Sequence, residues 1–256
     1  MYSVKHLLFF LMYIYTFARK AWYFMYTKKH TGTSEAVYQK LREQILHLEL
    51  PPGSAISEIE TAAKYDISRT PVRDAFKMLE SEGLLEIRPH IGTFVSLIDL
   101  NMISDILYMR EVLEQAVLKD LASIYDKSQE FRIRLILQHQ HELLESDLPI
   151  EELSREFIIS DNDFHTTLFD MAGKKNVMYF FQSINSQYER FRTFINLGGK
   201  ENLAHLCENH EEIWDCIARK DFDRLSTCVS HHIYDGFNGS IDNIYKHPEY
   251  FKSFNR

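Results

Sequence analysis

The chain has 256 residues, enough for one large or two ordinary domains. Hydrophobic residues at 45% against charged residues at 26% give a globular balance, which excludes disorder over most of the length. The net charge of −8 does not suggest a nucleic-acid binder, so any basic DNA-binding patch has to be local. The cysteines Cys207, Cys216 and Cys228 are odd in number and lack C-x-x-C spacing. That argues against a disulfide framework or a thiolate zinc site and fits a reducing cytoplasm.

Residues 1–32 read as an atypical apolar extension. The stretch 7–18 is uncharged and mostly apolar, but a helix of about twelve residues spans only about 18 Å, short of the roughly 30 Å hydrocarbon core. Arg19 and Lys20 interrupt any continuation to Tyr26, and no small-x-small cleavage site follows. A start at Met25 is the favoured reading; a weak membrane anchor over 7–26 and a helix packed on the body are the alternatives.

A three-helix unit with a hairpin is expected over 33–97. Val37, Leu41, Ile45 and Leu48 fall at i, i+4, i+8 and i+11 and form one apolar face. Pro51-Pro52-Gly53 stops that helix. Ser57-Glu58-Ile59-Glu60 fits a capping box that starts a short second helix ending near Tyr65. After the turn at Asp66-Ile67, Ser68 caps a third helix, with Pro71 in its first turn, where proline costs little. Val72, Ala75, Phe76 and Leu79 form the buried stripe, and Arg69 and Arg73, four apart, share another face near the N-terminus. A recognition helix presents such N-terminal side chains to bases and phosphates in the major groove, and the arginine fork suits both. Thr70 adds a methyl and a hydroxyl at the same end. Gly83 then ends the helix, 84–88 and 93–95 read as short strands, and Pro89-His90-Ile91-Gly92 joins them. The competing interpretation is a small bundle with an incidental hairpin, since Asp and Glu outnumber Lys and Arg over 34–96.

The runs Pro52-Gly53, Ser57-Glu58, Ser68-Arg69-Thr70-Pro71-Val72-Arg73-Asp74-Ala75, Leu79-Glu80-Ser81-Glu82-Gly83-Leu84 and Gly92-Thr93-Phe94-Val95 closely resemble the GntR family of winged-helix regulators. The resemblance implies Arg69 and Arg73 as the main DNA contacts; Ser68 and Thr70, at the same helix start, are further candidates. It implies Arg42 and the wing tip at His90 and Gly92 as assisting contacts. Three departures stand out: Thr61 where a core leucine is usual, Asp66 at the turn glycine, and Ile91 where the wing often carries a basic residue.

Over 98–246 the chain reads as an all-helical antiparallel bundle, followed by a tail at 247–256. Helical patterns run near 102–123, 131–145, 151–171, 177–195, 203–219 and 222–245. Breaks at Asp147-Leu148-Pro149, Gly173-Lys174-Lys175 and Gly198-Gly199 are short, which implies antiparallel neighbours. Asp161 and His165 stand at i, i+4, so both side chains can converge on one point. His210 is placed at the opening of the helix that ends at Arg219, and His232 in the last helix. Imidazole and carboxylate suit zinc, nickel and related ions, with positions left for water or a ligand carboxylate. With twelve histidines in the chain, such spacing also arises by chance.

Asp161-x3-His165 with Leu168 and Asn176, Glu208-Asn209-His210 with Ile213, Ala218 and Asp221, and His232-Ile233 resemble the FCD-type effector domain of the FadR-like branch of that family. The segment Met109-Arg110-Glu111-Val112-Leu113-Glu114 is similar to its first helix. The resemblance implies Asp161, His165, His210 and His232 as ligands of a divalent metal, zinc or nickel, and small organic acids as effectors; Arg110 is the first candidate to bind the acid and Arg192 the second. The expected protein is thus a cytoplasmic homodimeric regulator, mainly α, that binds a pseudo-palindromic double-stranded DNA operator under control of a carboxylate. A metal-dependent hydrolase and a membrane-tethered sensor are the rival readings.

Overall fold

The computed structural model describes residues 32–183 and 186–252. The apolar segment 7–26, with its candidate start at Met25, and the last residues 253–256 lie outside the described residues.

The N-terminal unit is a winged helix-turn-helix. Its elements are α1 (Thr33–Leu46), β1 (Ala55–Ile56), α2 (Glu58–Lys64), α3 (Arg69–Ser81), β2 (Leu85–Arg88) and β3 (Gly92–Val95). Val37, Leu41 and Ile45 of α1 meet Val72, Ala75, Phe76 and Leu79 of α3 in one apolar core. Leu48 does not extend the α1 face: the helix stops at Leu46, Leu48 turns to φ 58°, and its side chain packs on the C-terminal core instead. Ser57 caps α2, its hydroxyl accepting from the amides of Ile59 and Glu60. Ser68 precedes α3 in extended geometry but makes no side-chain cap. Asp66 adopts φ 52° in the turn, a conformation aspartate tolerates. Gly83 at φ 76° ends α3 where a side chain would be strained.

The wing is a three-stranded antiparallel sheet of order β1-β3-β2. Leu85 pairs with Val95 and Arg88 with Gly92, so Gly92 belongs to the strand and the tip is Pro89 to Ile91. The third strand, β1, pairs Ala55 with Phe94.

The C-terminal unit is all-helical: α4 (Leu100–Ile124), a 3-10 turn (Lys127–Gln129), α5 (Glu130–Glu145), α6 (Ile150–Met171), α7 (Lys175–Ser183), α8 (Ser186–Asn196), α9 (Lys200–Arg219), α10 (Phe222–Gly239) and α11 (Ile241–Lys246). Three sequence readings are corrected here. The pattern over 177–195 is two helices, α7 and α8. The pattern over 222–245 breaks at Ser240, whose amide and hydroxyl both turn back to the Phe237 carbonyl beside the weak helix former Gly239. His210 does not open a helix; it sits inside α9, on the buried face that Leu203, Cys207, Trp214 and Ile217 define at helical spacing.

The two units are joined by a short linker that the far end of the chain braces. A 3-10 turn (Pro248–Tyr250) leads to Phe251, which is buried, and the Ile98 amide donates to the Tyr250 carbonyl while the Lys252 amide donates to Ile98.

Candidate DNA-binding surface and metal centre

The start of α3 is exposed: Ser68, Arg69, Thr70 and Arg73 all face solvent. Both guanidinium groups are steered by one carboxylate of α2, with Arg69 Nη2 3.2 Å and Arg73 Nη2 3.3 Å from Glu58 Oε2. Slight burial would raise the Glu58 pKa, but the two arginines hold it below the ordinary carboxylate range. Glu58 thus keeps two cations side by side and exposed, a geometry that offers them to phosphate or guanine. His90, at φ 63°, and Ile91 stand exposed at the wing tip. Arg42 is held differently: its Nε donates to Glu82 at 2.8 Å, and its Nη2 lies 4.0 Å from Glu189 of α8. Arg88, which sequence reading did not single out, lies over the Phe94 ring on the exposed face of the wing.

Inside the bundle, three helices bring four side chains together. Asp161 and His165 project from α6, His210 from α9 and His232 from α10; all four are buried, and one ligand atom of each lies within 4.8 Å of the others. His165 Nε2 is 3.1 Å from His232 Nε2, and His210 Nε2 is 3.4 Å from Asp161 Oδ1. The His210 Nε2 is buried with no hydrogen bond among the described residues. Phe164 stacks on the His210 ring at 4.2 Å and fixes its plane.

A second layer sets the tautomers. His210 Nδ1 is 2.9 Å from Gln140 Oε1, which only accepts, so Nδ1 carries the proton and the Nε2 lone pair faces the cluster. Arg110 only donates, so His165 Nε2, 3.3 Å from Arg110 Nη2, is the unprotonated nitrogen. His165 Nδ1 then faces Glu114 Oε2 at 3.0 Å, an ion-pair distance without hydrogen-bond alignment. Burial lowers the pKa of His210, and burial together with the neighbouring His210, His165 and Arg110 holds that of His232 well below its ordinary value. Burial alone would raise Asp161, but Arg192 and His165 hold it well below the carboxylate range. The lowered His210 and His232 and the ionised Asp161 are the protonation states a divalent cation requires of its ligands.

Two arginines border the cluster. Arg110 is buried, donating to Glu114 at 2.7 Å and to the Tyr188 hydroxyl. Burial works against its charge, yet Glu114 raises its pKa above the ordinary value. Arg192 donates to Asp161 Oδ2 at 2.5 Å and to Asn162 at 2.8 Å. Both line a crevice beside the cluster with Tyr188, Phe191, His232 and Phe237. Glu114 and Gln140 were missed by sequence reading. Glu114 had a signal, since it stands with Arg110 inside the apolar stripe Ile103, Leu107, Val117 and Leu121 of α4.

A winged helix joined to a helical domain with a buried Asp/His3 cluster defines the class: a one-chain DNA-binding regulator with a separate helical domain. Residues 33–95 match the family described as "Bacterial regulatory proteins, gntR family", and residues 105–235 match the FCD domain. Among curated relatives, an uncharacterized HTH-type transcriptional regulator in an unstable DNA locus of Streptomyces ambofaciens is 35% identical, over 84% of this chain and 88% of that protein. The HTH-type transcriptional repressor RspR of Escherichia coli is 26% identical, over 79% and 86%. Among solved structures, E. coli McbR/YncC superposes with a TM-score of 0.60 at 16% identity, over 85% of this chain and 99% of that one. A putative GntR regulator from Rhodococcus sp. RHA1 gives 0.59 at 19%, over 83% and 99%, and like the former speaks for the fold alone.

The chain belongs to the GntR family, with an FCD domain as its helical part, and is a DNA-binding transcriptional regulator. The family and the relatives' names are those of regulators, not enzymes, so the hydrolase reading is set aside. No helix among the described residues is long and apolar enough to cross a membrane.

Proposed function

We propose that this regulator acts as a homodimer on a pseudo-palindromic DNA operator and senses a small organic acid through a divalent ion, zinc or nickel, held by Asp161, His165, His210 and His232. The observation that carries the sensing part is the convergence of four buried ligand atoms within 4.8 Å, from three helices. The donor set suits the ion: three imidazoles and one carboxylate match borderline cations, and His210 and His165 present Nε2 lone pairs. Bound there, the ion supplies a Lewis-acidic point for a carboxylate. Arg192 and Arg110 supply the fork for the rest of the acid. Both are already paired, Arg110 with Glu114 and Arg192 with Asp161; ligation of an ion by Asp161 would loosen the second pair only, so we weigh Arg192 above Arg110. Two winged helices of a dimer would meet half-sites about one helical turn apart, and the acid acts by favouring one packing of the bundle.

On the DNA side, Arg69, Arg73, Thr70 and Ser68 are the reading residues, with His90 and Gly92 on the wing. Arg42 is a backbone contact only if it leaves Glu82. Arg69→Ala and Arg73→Ala are each expected to weaken specific binding by about 1–3 kcal/mol. Fluorescence anisotropy on an operator duplex selected from random DNA measures this. Wild-type affinity in both variants would remove α3 from recognition.

A further inference from the structure

Helix α8 has two occupied faces that belong to different tasks. On one, Tyr188 accepts from Arg110 and Arg192 grips Asp161 and Asn162, so this face belongs to the sensor site. On the other, Gln187 donates to the Gly83 carbonyl at 3.4 Å, at the residue that ends the recognition helix α3. Arg190 is fully buried and donates to Ser96 in the interdomain linker, through Nη1 to the carbonyl at 2.6 Å and through Nη2 to Oγ at 3.1 Å. The Ser96 hydroxyl in turn donates to the Gly83 carbonyl at 2.6 Å. Glu189, between them in sequence, faces Arg42 of α1.

We propose that α8 is the lever that couples the sensor site to the winged helix, with Arg190 and Gln187 as the positioning residues that hold the linker and the end of the recognition helix. This rests on the metal-linked reading above. Three features make the contact a movable latch rather than ordinary packing. Among the described residues the buried Arg190 guanidinium is held by one serine and makes no ion pair, Glu82 acting on it only from farther off, so its position is electrostatically expensive. Arg190 Nε and Gln187 Oε1 are both buried and carry no hydrogen bond among the described residues, so the present arrangement leaves capacity for another. Finally, the Asp161 carboxylate that would ligate an ion is the one that holds Arg192. Loading the cluster therefore changes what the sensor face of α8 grips at Arg192, two residues from Arg190. A short helix moves as a unit, so Gly83 and Ser96 feel that change.

The test uses the full chain with zinc alone as probe. Two readouts are taken on each sample: the zinc binding isotherm and amide hydrogen exchange over 83–98. Zinc is expected to alter exchange around the four ligands and also over 83–98 in the wild type. Arg190→Met and, as the milder change, Gln187→Leu are expected to keep the isotherm and lose the zinc-dependent change over 83–98. A change over 83–98 that persists in both variants overturns the lever. So does a wild type that binds zinc with no change there. A wild type that binds no zinc fails at the isotherm, which removes the metal-linked reading and the lever with it.

Discussion

Stripping the metal from the full chain is expected to lower its melting temperature by about 5–10 °C, and zinc or nickel to restore it. The four proposed ligands belong to α6, α9 and α10, so an ion there would tie three helices together, and the unfolded chain offers no such site. Binding confined to the folded state stabilises it by about 2.7 kcal/mol at a hundredfold excess over Kd. At this chain length each kcal/mol is worth about 2–4 °C. His165→Ala and His210→Ala are each expected to abolish the restoration. Scanning calorimetry on chelated and reloaded samples reads it; a melting temperature indifferent to metal in the wild type would speak against the centre.

The second large effect concerns Glu114. Its carboxylate is buried between Arg110 and His165, and although burial opposes ionisation, Arg110 first and then His165 hold it below the ordinary carboxylate range. Among the described residues, Glu114→Ala leaves the buried Arg110 guanidinium in contact with Tyr188 and an imidazole, with Asp161 as the remaining nearby carboxylate. Removing one member of a buried ion pair costs about 3–5 kcal/mol, because the other charge stays desolvated. Glu114→Gln keeps the shape and an acceptor for Arg110 and is expected to cost clearly less. Urea unfolding measures both, and a loss below about 1 kcal/mol in Glu114→Ala would show that Arg110 is not kept charged by this partner.

What could be read from sequence follows the range of the interactions. The α1 and α3 stripes, the Ser57 cap and the Gly83 stop are local, and each is legible within one turn or one helix. Strand β1 has two residues, and its partner Phe94 lies far along the chain, so no local pattern marks it. Asp161 and His165 are visible as an i, i+4 pair. His210 and His232 join them only through the packing of α9 and α10, which is why spacing alone left chance open and family resemblance was needed. His210 was misplaced at a helix start because a polar residue looks like an opening, whereas its neighbours Cys207 and Trp214 continue the buried face. Arg190 gave no signal: a charged residue reads as solvated, and only the fold reveals it pressed against Ser96.

The most direct measurement is operator affinity, by anisotropy, as a panel of small mono-, di- and tricarboxylates is titrated into zinc-loaded and verified metal-free full chain. The account expects at least one acid to shift the affinity of the loaded protein tenfold or more, and the same acid to leave the metal-free protein and His210→Ala unmoved. An equal shift in the metal-free protein would contradict sensing through the ion.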